Sequence, residues 1–74
     1  MNNKENIYNI IGKNIKKYRK LKGWTQKELA DRAMASDSLI AKLESVTYQT
    51  ISVDNLEHIA DVLEVDIRRF FDRD

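Results

Sequence analysis

The segment from Ser36 to Ser45 carries polar side chains at a spacing that suits contact with the edges of nucleic-acid bases. Leu39, Ile40 and Leu43 form one helical stripe, and a step of about 100° per residue turns the other side chains to the opposite face. These outward candidates are Asp37, Ser38, Ala41, Lys42 and Ser45, with Ser36 at the start of the helix. Lysine donates to guanine O6 and N7, aspartate accepts from the cytosine amino group, and serine adapts. The alternative is a merely solvated face.

A second candidate group lies where the preceding helix begins. Gln26 and Lys27 occupy its first turn, where unpaired backbone N–H groups and the helix dipole favour an anion such as a phosphate. The alternative is that both are ordinary first-turn residues. Thr47 and Tyr48 follow the Ser36–Ser45 segment and are placed to reach further phosphates, although an ordinary loop fits them equally well.

Other kinds of chemistry find little support. Four acids share one side of a later helix: Asp54, Glu57, Asp61 and Glu64. Nothing completes a catalytic or cation site beside them, because His58 is the only histidine and cysteine is absent. We interpret this side as a solvated acidic face and predict no enzyme activity, no metal site and no cofactor.

Charge and length indicate the kind of partner, the number of domains and the compartment to expect. Seven basic residues and no acid lie between Lys13 and Lys27, whereas five acids and no Lys or Arg lie between Asp54 and Asp66, within a net charge of +1. A basic end of this kind can face a polyanion. The 74 residues predict one domain, with residues 1–6 flexible. No apolar run reaches the length of a membrane span and no signal peptide is visible, so a cytoplasmic protein is expected.

The elements that would position these residues are all helical. Apolar spacing predicts a first helix from about Ile7 to Leu21, ended by Gly23. Thr25 followed by Glu28 has capping-box spacing and begins a second helix that runs to about Ala33. The third helix follows a tight turn at Met34 and Ala35 and starts at the cap Ser36.

Two further helices complete the expected bundle. After a loop from Ser45 to Ile51, Ser52 can cap a fourth helix whose core stripe is Leu56, Ile59, Ala60 and Leu63. Asp66 can cap a short fifth helix. We therefore predict an all-α fold, a compact bundle of about five short helices, in which helices 2 and 3 form a helix-turn-helix.

The residue strings themselves resemble the Cro and phage-repressor-like family, also called XRE-like regulators. The resemblance covers about Ile11 to Phe71, and the run Thr25–Ala30, Thr-Gln-Lys-Glu-Leu-Ala, is its most specific part. It implies a lambda-repressor-like fold that binds operator DNA, usually as a homodimer. It further implies that Gln26 braces base contacts and that Arg19 and Glu44 form a structural ion pair.

Four residues depart from the family pattern. Met34 and Val46 replace common glycines, and Thr50 replaces a common proline, which affects turn geometry but not the fold. Methionine at position 34 would be strained if its backbone were left-handed. Asp37 stands where many relatives carry a polar or basic residue that reaches DNA, which argues against strong general DNA affinity.

The C-terminal third has apolar residues that a short helix cannot bury alone. They are Val65, Ile67, Phe70 and Phe71, with Val62 beside them. We expect part of this surface to close a two-fold homodimer, with Phe70 or Phe71 near its centre; the alternative is that all of it packs within the chain.

Two functions remain open on the sequence. The leading one is a sequence-specific DNA-binding transcriptional regulator that reads operator DNA in the major groove with helix 3. The alternative is a protein-interaction module of the same fold, antitoxin-like or the partner of a regulator, with weak DNA binding. Asp37, Ala41 and the small net charge favour the alternative, and the basic stretch argues against it.

Overall fold

The computed structural model describes residues 6–45 and 49–73 and contains helices throughout. There are four α-helices: α1 (Ile7–Lys22), α2 (Gln26–Ala33), α3 (Asp37–Glu44) and α4 (Val53–Leu63). No strand occurs in these two stretches, so the predicted all-α class is confirmed. The expectation of a flexible start concerns mainly residues 1–5, which lie outside the described residues.

The predicted short fifth helix is a 3₁₀ helix, Ile67–Phe71. Asp66 caps it as expected, since its Oδ1 accepts the backbone N–H of Arg68 at 2.9 Å. The carbonyl of Asp66 accepts from the N–H of Arg69, also at 2.9 Å, in the i to i+3 pattern of a 3₁₀ turn. The described residues therefore form four α-helices and one short 3₁₀ helix of five residues.

The helices begin at short polar side chains. In the predicted capping box, Thr25 Oγ1 accepts from the N–H of Glu28 at 3.1 Å, and Glu28 Oε1 accepts from the N–H of Thr25 at 2.8 Å. Ser36 and Ser52 each accept the N–H three residues on, at 3.0 and 3.1 Å. Asn6, which the sequence pattern did not single out, caps α1. These caps fix where α2, α3 and α4 start.

Three helices end on left-handed backbone. Gly23 adopts it after α1 with φ of 78°, as the sequence predicted, and no side chain is strained there. Met34 after α2 and Glu64 after α4 adopt it with φ of 55° and 62°. Such backbone costs a residue with a side chain roughly 1–2 kcal/mol. The turn between α2 and α3 therefore keeps its geometry at some cost at Met34.

A single cluster of apolar side chains joins all five elements. Its members include Ile15, Leu29, Ile40, Ile59 and Phe70, each at most 2% exposed. The predicted stripes of α3 and α4 face this cluster, except that Leu39 is only partly buried. None of the described helices is both long and apolar enough to cross a membrane.

The C-terminal 3₁₀ helix is also held by one buried amide. Asn14 of α1 is 6% exposed, and its Nδ2 donates to the carbonyls of Phe70 and Asp72 at 2.8 and 2.9 Å. These bonds satisfy backbone carbonyls at the end of the 3₁₀ helix, which would otherwise lack partners. The C-terminal segment is thereby fixed to the middle of α1.

Candidate nucleic-acid interface

The outer face of α3 is a continuous exposed surface. The residues predicted to face outward are all exposed: Ser36, Asp37, Ser38, Ala41, Lys42 and Ser45. Ile40 and Leu43 hold the opposite face in the core at 0% and 2% exposure. We call Ser36, Asp37, Ser38, Ala41 and Lys42 the α3 face. The hydroxyl of Ser36 is already engaged as the cap, but it retains its own O–H for donation.

The beginning of α2 lies beside this face. Lys27 is exposed, and its Nζ is 3.7 Å from Asp31 Oδ2, a surface pair that contributes little. The cation is therefore free to turn toward an anion. Gln26 is half-buried and differs from Lys27 in having a fixed partner on α3, the carboxylate of Glu44.

The close approach of α1 to α3 fixes the position of α3, and with it that of the α3 face. Gly12 lies against the last turn of α3, so closely that a Cβ there would stand 1.7 Å from the carbonyl oxygen of Leu43. Only glycine fits this contact, because the obstructing atoms are backbone. The sequence pattern gave no indication of this contact.

The structure brings Arg19 and Glu44 together as a bidentate pair. Arg19 Nε donates to Glu44 Oε2 and Arg19 Nη2 to Glu44 Oε1, each at 2.8 Å. The two side chains are 9% and 2% exposed. Arg19 Nη1 also donates to the carbonyl of Trp24 at 2.7 Å. The hydrogen bonds that Arg19 donates to the Glu44 carboxylate raise the pKa of Arg19, and burial opposes the rise. The pair joins α1, α3 and the turn before α2.

Trp24 is partly buried and packs against the core. Two cations lie over its ring, with the guanidinium carbon of Arg32 4.4 Å and the ammonium of Lys22 5.8 Å from the ring centre. Lys22 also pairs with Glu64 at the end of α4. The indole is therefore engaged within the chain and does not offer an open stacking surface. Nothing in the sequence pattern indicated these cation contacts.

Two predicted contact residues, Thr47 and Tyr48, lie outside the described residues. They belong to the connection between α3 and α4. The expectation that they reach phosphates therefore stays a prediction. Gln49, the next described residue, is half-buried, and its Nε2 donates to the carbonyl of Thr50 at 2.9 Å.

The predicted dimer surface needs one correction. Phe70 is 0% exposed and packs in the core, with its ring centre 6.3 Å from that of Tyr18. It therefore has no surface left for a second copy. Phe71 is 43% exposed, and Val65 and Ile67 are half-buried. What remains of the predicted surface is centred on Phe71.

The described residues show little sign of a small-molecule or metal site. No group of three or more His, Cys, Asp or Glu in the described stretches could hold a metal ion. A depression of about 130 Å³ lies between the α2–α3 turn and α4, beside Met34, Leu39 and His58. Ligand pockets usually measure roughly 300 Å³ or more, so this one is small.

Comparison with known proteins relates the chain to DNA-binding regulators. A family model described as helix-turn-helix matches residues 15–70. The HTH-type transcriptional regulator SinR of Bacillus subtilis (strain 168) is 35% identical over 63 residues, which cover 85% of this chain and 57% of SinR. The chain spans between 41% and 57% of the length of the curated relatives it matches.

Two solved structures of SinR resemble this one. The N-terminal DNA binding domain of SinR from Bacillus subtilis gives a TM-score of 0.80 at 34% identity, covering 88% of this chain and 94% of that one. SinR in complex with DNA, described as the master regulator for biofilm formation, gives a TM-score of 0.78 at 35% identity. That match covers 84% of this chain and 98% of the SinR chain.

Proposed function

Since this chain belongs to the helix-turn-helix family, we propose that it is a sequence-specific DNA-binding transcriptional regulator that acts in the cytoplasm. The observation that carries the proposal is the exposed α3 face set beside the beginning of α2. Its support is the likeness to SinR, which has been solved in complex with DNA. An α-helix fits the major groove of B-DNA, and α3 presents an exposed polar face.

In the proposed complex, phosphate contacts set the register and α3 reads the bases. Lys27 and the N–H groups at the start of α2 face a phosphate, where the helix dipole favours negative charge. Lys42 lies on the α3 face in the last turn of α3 and is suited to guanine O6 and N7. Thr47 and Tyr48 are proposed to contact the following phosphates.

We propose that two copies bind together. One domain of this size makes few base contacts, and a two-fold dimer on a palindromic operator doubles them. Phe71, Val65 and Ile67 supply an apolar surface that one chain leaves incompletely covered. A self-complementary patch suits two-fold symmetry.

Selection of bound duplexes from a random pool, at two fixed salt concentrations, tests the DNA-binding proposal. We expect an enriched half-site repeated in inverted orientation. Titration of the selected duplex against a scrambled one then separates specific from general binding. Glu57→Gln on the acidic face of α4 serves as the control and should leave specific affinity unchanged. Failure to enrich any sequence would refute the proposal.

Sedimentation at micromolar concentration, with and without the selected duplex, tests assembly. Phe71→Ser should weaken the dimer, because it removes the most exposed apolar side chain of the proposed surface. Val53→Ser is the matched control, since Val53 is 73% exposed on α4 and lies outside that surface. A wild-type chain that stays monomeric under both conditions would refute the homodimer.

A second function, binding a partner protein, has one observation in its favour. Asp37 is an exposed acid in the first turn of α3, on the face that should meet a polyanion. If selection fails, the Asp37→Asn variant distinguishes weak DNA binding from a protein-interaction module. Gain of DNA binding on removing this charge would show that Asp37 limits affinity, whereas continued absence of binding would favour the protein-interaction module.

A further inference from the structure

The side-chain amide of Gln26 is attached to the buried ion pair. Its Nε2 donates to Glu44 Oε1 at 3.1 Å, and the same oxygen accepts from Arg19 Nη2. Because a carboxylate only accepts, the amide must present nitrogen and not oxygen to Glu44. The direction of the Gln26 amide is thus determined by chemistry as well as by geometry.

This attachment leaves a defined pair of groups for a ligand. Among the described residues, Gln26 makes no other side-chain hydrogen bond. Its Oε1 and the second hydrogen on Nε2 remain unengaged, and the residue is half-exposed beside the α3 face. They form a fork with one acceptor and one donor. A phosphate, which offers only acceptors, could use only the donor half.

We propose that Gln26 reads a base, and that Arg19 and Glu44 are the positioning residues that fix the polarity of its amide. An acceptor and a donor side by side match adenine N6 and N7 in the major groove. A freely rotating glutamine could reverse its amide and lose this preference. The inference rests on the proposed DNA binding and gives the Arg19–Glu44 pair a role beyond holding the fold.

Arg19 contributes through Glu44. Its guanidinium occupies both carboxylate oxygens from one side and is itself fixed to the carbonyl of Trp24. The carboxylate is 2% exposed, so water does not compete effectively for its oxygens. Glu44 is thus a rigid, charged acceptor, and a hydrogen bond to a charged acceptor is stronger than one to a neutral group.

The free protein provides the first test, by ¹⁵N relaxation of the side-chain amides. The chain has two glutamines, Gln26 and Gln49. The Gln26 side chain should be as rigid as the backbone. Glu44→Gln, which replaces the charged acceptor by a neutral one, should loosen Gln26 and leave Gln49 unchanged. A mobile Gln26 amide in the wild-type chain would overturn the inference without any variant having to fold.

The second test is a double-mutant cycle on DNA. One arm is Gln26→Ala. The other is the double variant Arg19→Met/Glu44→Leu, which removes the acceptor without leaving a lone buried charge. Specific affinity is compared between the selected duplex and one in which the base pair assigned to Gln26 is changed. Circular dichroism must first show that each variant is folded at the assay temperature.

The wild-type chain should discriminate at that base pair by about 5- to 150-fold, the range for one bidentate contact. Either arm should abolish most of this preference, and combining them should add little. Unaltered discrimination in a folded Arg19→Met/Glu44→Leu variant would overturn this inference alone. Loss of affinity that is equal for all sequences would make Gln26 a phosphate contact. Absence of any selected sequence would refute the proposed function itself.

Discussion

Gly12→Ala should destabilise the fold through a single added methyl group. The Cβ would stand 1.7 Å from the Leu43 carbonyl oxygen and 2.8 Å from its carbon. Real Cβ contacts essentially never fall below 3.0 Å, so α1 and α3 would have to separate by more than an ångström. No side chain can rotate away to relieve this contact, because both obstructing atoms belong to the backbone of α3.

The expected size follows from two opposing effects. Overpacking a tight core typically costs about 1–3 kcal/mol, and a backbone obstacle belongs at or above the upper end. Replacing a mid-helix glycine by alanine returns roughly 0.8–1 kcal/mol of helix propensity. A net loss of about 2 kcal/mol or more is expected, which lowers the melting temperature of a domain this size by roughly 8–16 °C.

Thermal and denaturant unfolding followed by circular dichroism measure this effect. Lys16→Ala, at an exposed position one turn further along α1, is the control and should change stability by no more than about 0.5 kcal/mol. A Gly12→Ala variant as stable as the wild-type chain would contradict the close contact between Gly12 and the backbone of α3. In that case Gly12 would not fix the position of α3 against α1.

Three other predictions concern side chains on or near the proposed interface. Lys42→Ala should weaken binding to the selected duplex by about 1–3 kcal/mol and relax preference at one base position, measured by titration against single-base variants; uniform weakening would make it a phosphate contact. Arg19→Ala should lower the melting temperature far more than Lys20→Ala, because breaking a buried pair costs about 3–5 kcal/mol; equal small shifts would contradict the buried pair. Asp66 should titrate with a pKa of about 2 in an NMR pH series, since hydrogen bonds from Arg68 favour its carboxylate. The ionised Asp66 carboxylate therefore stabilises the fold at pH values above its usual pKa of 3.8, and this contribution is lost as the pH falls toward 2. A titration midpoint near 3.8 would show that the pair with Arg68 does not form.

Local sequence signals predicted the helix starts well. A cap needs only a side-chain oxygen and a backbone N–H two or three residues away, so Thr25, Ser36, Ser52 and Asp66 could be identified from spacing alone. Gly23 was equally accessible, because left-handed backbone at a helix end strongly favours glycine. These predictions depend on neighbours along the chain and not on packing.

Contacts between distant segments were not accessible in the same way. Asn14 and the carbonyl of Phe70 are 56 positions apart, and Gly12 of α1 meets Leu43 of α3 with the whole of α2 between them in the sequence. Phe70 and Phe71 are adjacent and identical in type, so their sequence offers no ground for choosing which is buried. The rotation of the 3₁₀ helix and the Asn14 hydrogen bonds decide it.

The same contacts make α1 the connection between the two proposed interfaces. On one side, Gly12 and Arg19 fix the position of α3. On the other, Asn14 fixes the 3₁₀ helix whose exposed residue, Phe71, is proposed to meet a second copy. In the proposed dimer, each α3 helix is connected to the dimer surface through the α1 of its own copy. The distance between the two α3 helices therefore depends on both α1 helices, and two half-sites require about 34–36 Å.

It follows that replacing Asn14 should weaken DNA binding, although Asn14 itself is not proposed to contact DNA. Without the amide, the 3₁₀ helix would lose its two hydrogen bonds to α1 and keep the packing of Phe70, while Arg19 and Glu44 still held α3 in place. Each copy would retain its α3 face, but the distance between the two faces would be fixed less tightly. Loss should therefore appear in binding to a full palindrome and not in binding to a single half-site, which separates the spacing role of α1 from any direct contact.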